Sequence, residues 1–308
     1  MNLKRRLQSR PAQPAAPPDV VPKSPSLLPG YPPRKYLDQL NPEFQKSIAR
    51  RRGHINPDDI SWYHSFELPD GRVVEGAWDL RGHEVPYFGG VDLRGKRVLE
   101  LGPATGYLSL YMERQGAEVV SFETGFDVSN DLLPVRGRET LGAKVQLMTE
   151  TVDRNHEGWW YLHNLYGSSV KFVQGNIYDM PSDLGTFDIT FAGAILLHLR
   201  DPWGAMVEAA SRTTEYMIVT ESLQDRDSPP TSNIMRFSPA AEHDLTNWWS
   251  IYPGAVVSML ERLGFGDTII SEHTQKHRLG HVATAEYTDM PMYTVVGKRI
   301  EPLAGSIL

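Results

Sequence analysis

Five residues stand where they could act on a small ligand. Glu100, Gly102 and Gly106 lie in Val98-Leu99-Glu100-Leu101-Gly102-Pro103-Ala104-Thr105-Gly106-Tyr107, Glu123 closes Val120-Ser121-Phe122-Glu123, and His198 stands beyond Phe187-Asp188-Ile189-Thr190-Phe191-Ala192-Gly193. An apolar run ending in a small-residue turn places Gly102 and Gly106 where the backbone can come close to a bound group. In open α/β sheets, ligands bind at such carboxyl ends of strands. A dinucleotide would ask for G-x-G-x-x-G. Counted from Gly102, the next two required positions hold Ala104 and Tyr107, so that pattern fails. Glu100 adds a carboxylate, which suits a cation better than a pyrophosphate. His198 titrates in the range useful to a general base; the alternative is a structural histidine satisfied by backbone. His64 is a second candidate of the same kind.

The elements that must position these groups follow from the apolar pattern. Asn41-Pro42-Glu43 predicts a helix start, with the helix running to about Arg52. Residues 62–68 and 72–75 read as strands about a Pro69-Asp70-Gly71 turn. From residue 97 short apolar runs alternate with helical stretches: strands at 97–101, 118–122, 170–173, 187–191 and 216–220, and late strands at 268–270 and 293–296. Helices are expected at about 107–115, after the cap Asp201 with Pro202, and at 254–263; residues 124–157 read as less regular, and 158–162 loosely as helix. Strands separated by helices imply an α/β fold, a doubly wound, mostly parallel sheet of seven strands. The expected domains are a basic Pro-rich tail (1–36), an N-terminal extension on the core (37–90), the main domain (91–299) and a C-terminal tail (300–308).

These landmarks resemble the class I S-adenosylmethionine-dependent methyltransferases, over about residues 92–299. The cofactor carries a sulfonium and an ammonium, which suit a carboxylate. The acidic-x-Gly-x-x-x-Gly signature is matched by Glu100, Gly102 and Gly106, and the resemblance implies a Rossmann-like sheet and a loop Gly102-Pro103-Ala104-Thr105-Gly106 touching the methionine part of the cofactor. It implies that Glu123 binds the ribose hydroxyls, that Asn176 with Ile177 meets the adenine (Asp179 being the alternative), and that Ala192 and Gly193 lie beside the methyl group. Trp62-Tyr63-His64, residues 194–202 and Asn247-Trp248-Trp249 further resemble the group related to bacterial tRNA wobble-uridine methyltransferases and carboxymethyltransferases. The carboxymethylating members have a Tyr before the histidine that matches His198; this chain has Leu197, which favours ordinary methyl transfer.

Composition narrows the chemistry. The 308 residues include no cysteine. That excludes disulfides, thiolate metal sites, the cluster of radical chemistry and a cysteine adduct for pyrimidine carbon methylation. The net charge of −7 divides unevenly: residues 1–36 carry seven basic residues, one acid and nine of the 23 prolines, leaving 24 basic and 37 acidic residues elsewhere. The proline-rich tail is expected to be mobile. No secretory signal or membrane span is evident, which points to the cytoplasm. The expected reaction is O-methylation of a small-molecule acceptor, with a tRNA-modifying enzyme and a non-catalytic cofactor-binding protein as alternatives. The acidic body opposes the tRNA reading; the tail with Lys46, Arg50, Arg51 and Arg52 supports it. Trp62, His64, Trp248 and Trp249 are candidates to line the acceptor site and Arg200 or Arg236 to pair with an anionic acceptor. Trp159 and Trp160 read as core, and Asp201 as a cap. No metal site is expected.

Overall fold

The computed structural model describes residues 39–52, 56–60, 62–124, 131–133, 138–223, 229–237, 246–278 and 285–301. The expected tail at 1–36 lies outside them, and residues 39–308 belong to one unit. Helix α1 (Pro42–Arg52) begins where Asn41 Oδ1 accepts the N–H groups of Glu43 (2.9 Å) and Phe44 (3.3 Å). Two-residue strands β1 (Phe66–Glu67) and β2 (Val73–Val74) pair about the Asp70-Gly71 turn, followed by β3 (Trp78–Asp79) and a one-turn helix α2 (Glu84–Tyr87).

The main sheet then builds from β4 (Arg97–Leu101), α3 (Tyr107–Arg114), β5 (Glu118–Thr124), α4 (Arg138–Tyr166), β6 (Lys171–Gly175), β7 (Phe187–Gly193), α5 (Pro202–Ala210) and β8 (Thr213–Ser222). A short hairpin of β9 (Met235–Phe237) and β10 (Trp249–Ile251), helix α6 (Pro253–Arg262), β11 (Phe265–His277) and β12 (Thr288–Arg299) complete it. The sheet order is β3-β11-β12-β8-β7-β4-β5-β6. Strands β6, β5, β4, β7 and β8 run parallel, while β12, β11 and β3 are antiparallel to their neighbours.

The seven expected strands are therefore joined by an eighth. Strand β3 of the N-terminal extension pairs with the far end of β11 through Asp79–Lys276 and Trp78–His277. The apolar core of 268–270 and 293–296 had marked only the centres of β11 and β12, whose 13 and 12 residues reach well past it. The sequence 138–166 is one helix of 29 residues, although only 158–162 read as helical. Its weak apolar period and the glycines at 142 and 158 hide it from a pattern reading.

Alternation along the strands splits the core between two faces. Val98 joins Leu108, Met112 and Trp159 on the face covered by α3 and α4. Leu99 and Leu101 join Met206, Val256 and Leu260 on the face covered by α5 and α6. Trp159 and Trp160 are core residues. The same alternation turns Glu100 towards α3, a placement that decides its role. Asp201 caps α5, its Oδ1 accepting from the Gly204 N–H at 2.9 Å.

Candidate functional site

The carboxyl ends of β4, β5, β6 and β7 open into one cavity of about 1060 Å³, at the upper end of the size of ligand sites, about 300–1,000 Å³. Glu100, Gly102, Pro103, Ala104, Glu123, Asn176, Ile177, Gly193, His198 and His64 all contribute to its lining. The loop after β4 is tightly determined. Gly102 has φ +71°, and a Cβ there would come 2.9 Å from Ile195 Cδ1; Gly106 has φ +85°, and a Cβ would sit 2.7 Å from Trp159 Cδ1. Ala104 takes the left-handed conformation, φ 48°, despite its side chain. Such strain gathers at sites where the surroundings over-determine the backbone.

The two acids beside this loop, Glu100 of β4 and Glu123 of β5, have different tasks. Glu100 is buried, and its Oε2 accepts from Ser109 Oγ on α3 (2.5 Å) and Ser121 Oγ on β5 (2.6 Å). Burial pushes its carboxyl up to about 7, and the two serines restrain the rise. Glu123 keeps part of its surface open to the cavity. Its Oε1 accepts the Thr124 N–H at 2.7 Å, and the Ala104 N–H also donates to it. Enclosure by protein raises it to about 7, with the Glu100 charge adding to the rise and the two N–H groups opposing it.

A third acid, absent from the sequence reading, holds the opposite wall. Glu221 near the end of β8 is buried and accepts the Leu196 N–H at 2.8 Å, with the N–H groups of Leu197 and Ile195 also directed at it. Burial pushes it up to about 8. It ties down the turn that follows Gly193 and Ala194, where Ala194 is again left-handed at φ 50°. That turn ends in His198, whose Nδ1 lies 3.0 Å from the Thr246 carbonyl. A carbonyl only accepts, so Nδ1 carries a proton, and in the neutral form of the ring the lone pair lies on Nε2.

Residues 99–213 match the model of a family described as a methyltransferase domain. That match spans 115 of the 308 residues and runs from β4 to the start of β8. No curated protein matches this chain. Among solved structures, it is similar to the N-terminal domain of EvdMO1 crystallised with S-adenosylhomocysteine and D-fucose. That match has 18% identity and a TM-score of 0.47, over 85% of this chain and 99% of the other. It is also similar to the 1,6-didemethyltoxoflavin-N1-methyltransferase of Burkholderia thailandensis (13% identity, TM-score 0.41, 68% and 72% of the two chains). An O-methyltransferase family protein of Burkholderia thailandensis matches at 14% identity and TM-score 0.39, over 71% and 55%. Methyltransferase domains of this kind use S-adenosylmethionine. The residues present fit it: a backbone cradle at 102–104 and a half-open carboxylate at Glu123, in a cavity that is acidic around the cradle.

Other candidate residues lie outside the lining of this cavity. Thr105 is buried, with its Oγ1 accepting the His64 N–H at 3.4 Å. Gly106 sits beneath Trp159, and Ala192 is buried within β7. The tryptophans expected as a wall are anchored by their indoles instead: Trp62 Nε1 donates to Pro57 O (3.1 Å), Trp248 Nε1 to Asp131 O (2.7 Å) and Trp249 Nε1 to Leu199 O (2.9 Å). Arg200 is exposed, and its backbone N–H donates to Asp131 Oδ1 at 2.9 Å; Arg236 is exposed on β9. Asp179 is exposed, while Asn176 Oδ1 accepts the Tyr178 N–H at 3.0 Å. The walls that the structure adds are Tyr63, Trp78, Leu80 and Tyr87 from the extension, Met290 and Met292 from β12, and Arg154 and Asn155 from α4. Trp78 and Tyr63 could have been found from the apolar run of the extension; Arg154 and Asn155 carry no motif. Among the described residues no helix is long and apolar enough to cross a membrane, and no group of three or more acidic or histidine side chains could hold a metal ion.

Proposed function

We propose that this methyltransferase transfers a methyl group to the oxygen of a small, uncharged acceptor, with His198 as the base that receives the acceptor proton. The observation that carries this reading is one cavity lined both by the cofactor loop and by His198. S-adenosylmethionine supplies an electrophilic methyl on a sulfonium, open to in-line attack. The protein's part is then positioning and exclusion of water. In this reading the loop 102–106 and Glu123 hold the cofactor, Asn176 and Ile177 border its adenine, and Gly193 keeps the transfer path clear. The Thr246 carbonyl fixes the tautomer in which His198 Nε2 can take a proton. His64 is a poor base, because burial pushes its pKa down to about 3.

The character of the walls supports a small acceptor. Aromatic residues and methionines form the side built by the extension and β12. Among the described lining residues Arg154 is the one lysine or arginine, against Glu100, Glu123 and Asp131. A polyanion would meet acids there and little positive charge. Two of the four basic residues expected to favour RNA are paired, Lys46 with Glu43 (3.1 Å) and Arg52 with Asp153 (2.9 Å). A gel shift with bulk tRNA at moderate salt tests the choice. Salt-sensitive binding that disappears on deleting residues 1–38 would replace the small acceptor by tRNA. The His198→Ala variant should keep its S-adenosylhomocysteine affinity and lose turnover about 100-fold or more. Unchanged turnover would dismiss His198 as the base.

A further inference from the structure

His64 is left with an unanswered polar group. It is 6% exposed, yet its Nδ1 is buried without a hydrogen-bond partner. Such a group is costly to bury unless something completes its hydrogen bonding. Its surroundings fix where a partner could come from. The His64 backbone N–H donates to Thr105 Oγ1 at 3.4 Å, and its ring lies 6.0 Å from that of Tyr107, so it stands against the loop that opens α3. On the other side its ring meets Tyr63 edge-on at 4.8 Å, and a bridge to Trp78 holds its backbone. The ring also contributes to the lining of the cavity.

The sheet order orients an elongated ligand in that cavity. Strands β6, β5, β4 and β7 lie side by side, so Asn176, Glu123, Gly102 and Gly193 follow in a row across their ends. A carboxylate that accepts two hydroxyls suits the ribose, which places that sugar at Glu123. The adenine then extends towards β6, and the amino-acid head towards β4 and β7. His64 stands on this side, against Thr105. Glu100 cannot serve the head's carboxylate, and Ser109 and Ser121 already engage it.

We propose that His64, from the N-terminal extension, hydrogen-bonds the amino-acid head of S-adenosylmethionine. This rests on the methyltransferase reading of the site and adds a specific contact to it. The extension thereby becomes part of the cofactor site, besides forming a wall for the acceptor. A neutral imidazole can donate to the head's carboxylate or accept from its ammonium, and both modes need the head to be present.

Calorimetry on the full chain tests this with two ligands, S-adenosylhomocysteine, which keeps the head, and 5′-methylthioadenosine, which lacks it. His64→Ala should weaken the first about tenfold, which is about 1.4 kcal/mol, and change the second less than twofold. His64→Gln, whose amide can donate and accept, should recover part of the loss and serves if the alanine variant does not fold. An equal loss for both ligands would make His64 a support for the loop and overturn the proposal, as would unchanged affinity for both. Failure of the unmodified protein to bind S-adenosylhomocysteine would instead overturn the reading of the site itself.

Discussion

Raising the pH of the ligand-free protein from 6.5 to 8 is expected to lower its folding stability by up to about 3 kcal/mol. The cause is three carboxyls whose folded-state pKa lies above the ordinary 4.5: Glu100 and Glu123 at about 7 and Glu221 at about 8. For such groups the stabilising contribution is complete below pH 4.5. It is lost as pH rises through the folded value, because the unfolded chain gives up its proton first. At about 1.4 kcal/mol per unit, the interval from 6.5 to 8 costs less than about 1 kcal/mol for each of the first two and about 2 for Glu221. The sum is a ceiling, since Glu123 opens on the cavity. Below 6.5 the buried histidines oppose this slope. His64 is pushed down to about 3 and His156 and His273 to about 4, chiefly by burial, so each favours folding more as pH rises towards 6.5. Three groups against three leave the profile nearly level from 4.5 to 6.5, and His163, lowered by burial, and Glu157, raised by it, oppose each other there. Urea unfolding at pH 5.5, 6.5 and 8 and constant ionic strength measures the profile. Glu221→Gln should remove more than half of the fall above 6.5, whatever its own stability. A protein as stable at pH 8 as at 6.5, or a Glu221→Gln variant with an unchanged slope, would refute the reasoning.

Other outcomes follow from the same geometry. Glu123→Gln should weaken S-adenosylhomocysteine binding about tenfold by calorimetry, because the group facing the cavity loses its charge-assisted hydrogen bonds. Gly106→Val should destabilise the protein by more than about 2 kcal/mol in urea unfolding, through a positive φ and a Cβ 2.7 Å from Trp159. Trp248→Phe should cost about 1 kcal/mol of stability, the worth of its bond to the Asp131 carbonyl, and leave S-adenosylhomocysteine affinity within twofold. Saturating S-adenosylhomocysteine, at about 100 times its Kd, should add about 2.7 kcal/mol to the urea-unfolding free energy.

The parts of the fold that were legible in the sequence are those where local chemistry and tertiary structure agree. Strand β4 and its turn could be read because four apolar or buried positions run straight into Gly102, and α5 because Asp201 and Pro202 mark its start. The long helix α4 could not. Trp159 and Trp160 on it are buried against Phe172 of β6, while Arg154 on the same helix is exposed at the cavity. A helix that serves a core and a cavity by turns lacks a single clean apolar stripe. The tryptophans misled for a related reason. Residue type suggested a stacking wall, but each indole N–H needs an acceptor when it is buried, and loop carbonyls of Pro57, Asp131 and Leu199 supplied it. Glu221 carries no motif, since its partners are three backbone N–H groups that only the folded turn brings together.

Acidity at the site is best understood as two kinds of carboxyl. Glu100 looks, from the sequence, like an acid available to a cationic ligand, but it is satisfied from within, and so is Glu221. Glu100 binds α3 to β5 through two serine hydroxyls, and Glu221 binds the His198 turn to β8 through the amides of residues 195–197. Buried groups satisfied in this way act on the ligand by shape, because they fix the two loops between which Gly102 meets Ile195. Glu123 differs in keeping an open surface between the same loops. A cationic cofactor arriving there would favour ionisation of all three acids, Glu123 most because it is in contact. Protons should therefore be released on binding near pH 7, and the number released should fall as pH rises past 8. Calorimetry of S-adenosylmethionine binding in buffers of different ionisation enthalpy counts those protons directly. Glu123→Gln should remove the largest share, and proton uptake in place of release would contradict this division of roles.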